Sequence, residues 1–145
     1  MKKVIEIQNK KGEILSNFAY IELLVRSFIL NNYSIERNNL ISSDVFEDEY
    51  FNFGLLLHIF EKVVKRKGVG SPNKLLEDLR RMGKIRNIVA HAPIQAHDNN
   101  SSKEEDYSIF LKHGGKEISI DEIEKMYKEY DVVKVKVTSR ILEIS

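Results

Sequence analysis

Apolar positions recur along this chain with helical spacing for most of its length. Leu15, Phe18, Ala19, Glu22, Val25, Ile29 and Tyr33 fall three to four residues apart, which predicts a first helix over about 12–32 with these positions facing inward. A polar connection, 36–43, follows. A second helix is expected over about 45–67, with Ser43 and Asp44 as cap residues and Glu47, Asp48 and Glu49 at its positive end. Lys62, Lys65, Arg66 and Lys67 suit its negative end, and Gly68 and Gly70 stop it. Its stretch 53–60 is apolar nearly all round, as in a central helix. Ser71 caps a third helix, Pro72 takes its first position, and Pro93 disfavours helical geometry at Ala92. That helix therefore ends at Ala90 or His91.

The rest of the chain changes character. Residues 97–106 are polar and read as an exposed loop. Two short apolar stretches, 107–111 and 117–120, flank His113-Gly114-Gly115-Lys116 and read as a β-hairpin. Asp121 is expected to cap a last helix over about 122–143. Its segment Val132-Val133-Lys134-Val135-Lys136-Val137 alternates like a strand, but no turn residue interrupts it. The sum is an all-α architecture of four long helices with one short hairpin, in a single domain spanning 1–145.

Composition narrows the function. The 23 Lys and Arg nearly balance the 22 Asp and Glu, which argues against a general nucleic-acid coat but leaves room for a local basic patch. Cysteine is absent, so there is no thiolate zinc site or disulfide framework, and a cytoplasmic location is expected. The apolar-rich run 21–30 is short and carries Glu22 and Arg26, so no membrane span is expected.

The third helix carries the chemistry. On a helical wheel Leu75, Leu79, Met82, Val89 and Ala90 share one arc, with Arg86 in its middle. An arginine there needs a carboxylate, an anionic ligand or a wet cleft. Glu22, on the first helix's expected inner face, is the obvious ion-pair partner, and Arg26 competes for it. Arg80, Lys84, Asn87 and His91 form a separate polar stripe, on which Asn87 and His91 are neighbours four residues apart.

Arg86-Asn87-Ile88-Val89-Ala90-His91 resembles the signature of the HEPN superfamily (higher eukaryote and prokaryote nucleotide-binding): an Arg, a polar residue, and a His a few positions on, often preceded by Ala. The helical lead-in from Leu75 to Ile85, the polar loop, the hairpin and the acid-capped last helix are also similar. The resemblance implies a HEPN-like helical bundle that pairs about a two-fold axis. It also implies RNA cleavage without metal or cofactor, leaving a 2′,3′-cyclic phosphate. By that resemblance Arg86 stabilises the phosphate and transition state, His91 transfers the proton and Asn87 orients. Arg80 and Lys84 are the RNA-contact candidates, and the partner copy would supply a second His91. The resemblance further implies a toxin or antiphage-defence effector, with a cognate antitoxin or operon partner.

Plainer readings stand beside these. Arg86 fits a structural ion pair, His91 a cation at a helix C-terminus, and Asn87 a solvated position. His58 reads as a satisfied core histidine and His113 as a turn residue. His91 with His97 makes a poor metal pair, since Pro93 breaks the helical register between them. Lys62, Lys65, Arg66 and Lys67 guide RNA only if they rim the same cleft as His91. A non-catalytic dimer that binds a nucleotide, an RNA or a protein is the alternative function.

Overall fold

The computed structural model describes residues 2–32, 52–98 and 107–145. Helix α1 spans Lys2–Asn31 and starts well before the expected position 12. Ile7, Ile14, Ile21 and Phe28 repeat every seven residues, and Phe18, Val25 and Ile29 bury beside them. The inner face is thus turned from the expected one: Leu15 and Ala19 are exposed, while Ile14 and Ile21 take the core.

Helix α2 spans Phe53–Lys67. It opens at Asn52, whose backbone is extended and whose Oδ1 accepts the Leu55 N–H at 3.0 Å. The expected helix over 45–67 is therefore not continuous through 52. Its supposed caps Ser43 and Asp44, and the connection 36–43, lie outside the described residues. Leu56, Leu57, Phe60, Val63 and Val64 are buried. His58 points outward and is exposed, so it is not the core histidine that its apolar neighbours suggested. Gly68 closes α2 at φ 75°, the left-handed region where a side chain would be strained.

Helix α3 spans Pro72–His91. Pro72 sits in the first turn as expected, but Ser71 makes no side-chain cap bond and its φ is 50°. Helix α3 packs on α1, on α2 and on the last helix, α4 (Ile120–Ile144). Those three neighbours explain why burial wraps so far round it. Leu76, Leu79, Met82, Ile85 and Val89 are all in the core.

Between α3 and α4 the chain forms a three-stranded antiparallel sheet in the order β1 (Ile94–Asp98), β2 (Tyr107–His113), β3 (Lys116–Ser119). The hairpin was expected. Strand β1 was not: it takes the start of the supposed loop 97–106, pairing Ile94 with Leu111 and Asp98 with Tyr107. Gly114 and Gly115 turn the hairpin at φ 57° and 78°, the two positive values a tight two-residue turn requires. Ser119, not Asp121, caps α4, its Oγ accepting the Glu122 N–H at 3.3 Å. The stretch 132–137 is helical, with Val137 buried and Val132 and Val135 exposed.

The expected all-α bundle is thus a mostly helical fold with a small sheet before its last helix. Tyr130 of α4 is wholly buried and donates to Asn17 Oδ1 at 2.8 Å, tying α4 to α1 across the core. No described helix is long and apolar enough to cross a membrane.

Candidate functional site

The C-terminal half of α3 leaves the core on one side. Ile85 and Val89 stay buried, Arg86 is half-buried, and Lys84, Asn87, Ala90 and His91 are exposed. The expected polar stripe Arg80, Lys84, Asn87, His91 is therefore a continuous exposed edge of the helix. Ala90, expected on the apolar arc, is exposed.

Arg86 opens onto a cleft of about 700 Å³. Phe18, Glu22 and Arg26 of α1 line one wall, and Asn52 and Phe53 at the start of α2 line another. Arg80, Gly83, Lys84 and Asn87 of α3 complete it. Among the described residues no carboxylate pairs with Arg86, whose side chain lines this cleft. The Arg86 guanidinium lies 5.8 Å above the Phe18 ring centroid. Its Nη1 donates to Asn87 Oδ1 at 3.2 Å.

Two expected contacts take another form. Glu22 does not pair with Arg86; it approaches Arg26 at 3.8 Å, with both side chains partly exposed. Such a pair contributes at most about 1 kcal/mol, well below a fully buried one. Asn87 serves Arg86 rather than His91, since no hydrogen bond joins Asn87 to His91 among the described residues.

The described lining of the cleft is electropositive. Among the described residues, Arg26, Arg80, Lys84 and Arg86 line it with one carboxylate, Glu22. Arg80 also reaches Glu61 at 3.4 Å. The N-terminus of α2 adds its positive dipole end, with no acidic residue in its first turn. The Arg26 Nε is buried with no hydrogen-bond partner among the described residues.

His91 is the last residue of α3 and is exposed. The backbone of the two residues that follow it is held from both sides. The Ala92 N–H closes the helix on Ile88 O at 2.9 Å, and Lys11 of α1 donates to Ala92 O at 3.3 Å. The Lys112 N–H of β2 reaches Pro93 O at 3.4 Å. Five residues along a helix separate Arg86 from His91 by about 7.5 Å of rise and about 140° of rotation. Within one chain the two side chains leave α3 in different directions. His97 falls on β1. Among the described residues no group of three His, Cys, Asp or Glu could hold a metal ion.

The sequence reading did not single out Phe18, Phe53 or Gly83 as parts of the site. A Cβ on Gly83 would come within 3.0 Å of two Phe53 ring carbons, so this glycine lets the ring lie against α3. A glycine inside a helix, three residues before Arg86, was the available signal, since glycine there costs about 1 kcal/mol.

Several charges elsewhere are matched. Lys3 pairs with Glu124, Lys10 with Asp131 at 2.6 Å, and Arg81 bidentately with Glu129 at 2.7 and 2.9 Å. The hydrogen bond from Arg81 holds the Glu129 carboxyl below its usual range. Burial works to raise Asp131, but the bonds from Lys10 and Lys134 outweigh it and the net direction is down. Burial pushes the Tyr127 phenol up to about 12.

Comparison with protein-family models, curated proteins and solved structures finds no match for this chain.

Proposed function

We propose that the protein is a metal-independent endoribonuclease of HEPN type that acts as a homodimer. The observation that carries the reading is the junction of an electropositive cleft, with Arg86 on its wall, and an exposed edge of α3 ending in His91. An RNA strand brings its own nucleophile, the 2′-hydroxyl. His91 takes the 2′-hydroxyl proton as that oxygen attacks phosphorus. The 5′-oxygen leaves with a proton from a second acid, and a 2′,3′-cyclic phosphate remains. Arg86, steadied by the Asn87 amide oxygen, holds the phosphate and stabilises the charge that grows on it. The divergence of Arg86 and His91 within one chain supports the pairing of two copies, since the partner's His91 then supplies the second acid. A toxin or defence effector held by a cognate antitoxin is the biological setting this chemistry suits.

The same divergence also supports the alternative, a dimer that binds RNA, a nucleotide or a protein without cutting. One experiment separates them. Purified protein in EDTA is incubated with single-stranded RNA and with DNA of the same sequence. The nuclease reading expects cut RNA with cyclic phosphate ends, intact DNA, and at least a 100-fold loss in His91→Ala. Intact RNA with a folded dimer removes the nuclease reading in favour of the binding module.

A further inference from the structure

The cleft holds more than an anion would need. A phosphate is satisfied by Arg86, Lys84 and the start of α2, yet the wall between them is aromatic. The Phe53 ring is seated against Gly83 on one side and meets Phe18 edge-on, with centroids 4.7 Å apart. It is half-buried, so part of its surface faces the cleft. Beside it stand a carboxylate, Glu22, and an amide, Asn52, whose Oδ1 is already committed to the Leu55 N–H. The volume falls in the range of about 300–1,000 Å³ typical of small-molecule sites. An aromatic ring with hydrogen-bonding groups at its edge and cations at its rim is how unpaired RNA bases are held.

We propose that this cleft seats one unpaired base of the RNA on Phe53, with Glu22 reading its edge and Arg86 its attached phosphate. The inference rests on the ribonuclease reading above and adds a base preference to it. A carboxylate accepts two parallel N–H bonds from guanine, through N1–H and the 2-amino group, but only one from adenine or cytosine. Uracil offers a single imino N–H. Guanine is therefore the base the seat selects. Arg26, at 3.8 Å from Glu22, helps to hold that carboxylate in place. Gly83 is a positioning residue for Phe53.

The test uses the His91→Ala chain, so that no cutting confuses binding, and titrates GMP, AMP, CMP, UMP and ribose 5-phosphate by calorimetry. The expected order places GMP first, on the order of ten-fold tighter than ribose 5-phosphate. Phe53→Leu should bring all the nucleotides to the level of ribose 5-phosphate. Glu22→Gln should abolish the preference for GMP while leaving the nucleotides above ribose 5-phosphate. Equal affinity of the nucleotides and ribose 5-phosphate for the His91→Ala chain overturns the seat. So does an unchanged order in a folded Phe53→Leu, or, if that variant fails to fold, in Glu22→Gln. The two readings fail separately. RNA cut without base-dependent binding overturns the seat alone, whereas base-dependent binding without cutting keeps the seat and removes the nuclease.

Discussion

The flanks of α4 and the cleft beside α3 use the same cationic side chains to opposite ends. Along α4, Lys3, Lys10 and Arg81 each meet a carboxylate on that helix. In the cleft, Arg86 meets an amide oxygen and an aromatic face and Lys84 has no ion pair among the described residues, while Arg26 and Arg80 reach Glu22 and Glu61 at 3.8 and 3.4 Å. The matched set holds a helix in place and leaves no charge for a ligand. The unmatched set gains little for the fold, because its repulsion and desolvation are uncompensated. An anion would supply the compensation. The contrast separates Arg81, paired with a carboxylate, from Arg86, which has none among the described residues, and it does so without reference to any motif.

The strongest way to break that comparison is to exchange the losses. Arg86→Gln should reduce RNA cleavage by about 100-fold or more while the melting temperature stays within a few degrees. Arg81→Gln should leave cleavage within two-fold and lower the melting temperature by a few degrees at most, so that the rates carry the contrast. Parallel melts and initial rates decide the matter, and equal rate losses in the two variants would erase the distinction.

On the α4 side a buried hydroxyl offers a larger stability effect than any surface pair. Tyr130→Phe removes the bond to Asn17 at 2.8 Å and should cost about 1 kcal/mol, read by urea denaturation at unchanged slope. RNA affinity should not follow it.

Lys84→Gln sharpens the cleft side. Its loss should weaken RNA several-fold whatever the sequence and make the plot of log affinity against log salt shallower by about one. Anisotropy titrations at three salt concentrations suffice. An unchanged slope places the phosphate path elsewhere.

The smallest effect is that of pH. Glu129 and Asp131 are held below their usual ranges, so their stabilisation is complete above roughly pH 4–4.5, the unfolded values. It is lost as pH falls through the lower folded values. Both pairs are partly exposed, so each is worth at most about 1 kcal/mol after screening. Glu129→Gln should therefore lower the melting temperature at pH 7 by a few degrees at most and by less near pH 3.

The punctuation of the fold was legible where backbone chemistry is restrictive. Gly68, Pro72 and Pro93 marked helix ends because each excludes alternatives. The start of α1 was not, since Lys2, Lys3, Lys10 and Lys11 mask the seven-residue spacing of Ile7, Ile14 and Ile21. The same oversight turned its face and put Leu15 inside. Strand β1 escaped because Ile94–Asp98 has one large apolar residue and gains its structure from pairing with β2. Of the site, Arg86's conflict with an apolar arc and the exposed edge Lys84, Asn87, His91 were readable from helical geometry. The cleft was not, because Phe18, Phe53 and Gly83 meet only through packing of three helices.

The pinning of Tyr130 to Asn17 also bears on how the chain is born. Helix α1 leaves the ribosome before α4, the partner that covers Ile7, Ile14 and Asn17, which emerges after α2, α3 and the sheet. At about 5–20 residues per second the inner face of α1 waits several seconds for its cover. Until then the core is open. Helix α3, which packs on α1, α2 and α4, lacks one of its three helical supports until α4 has arrived.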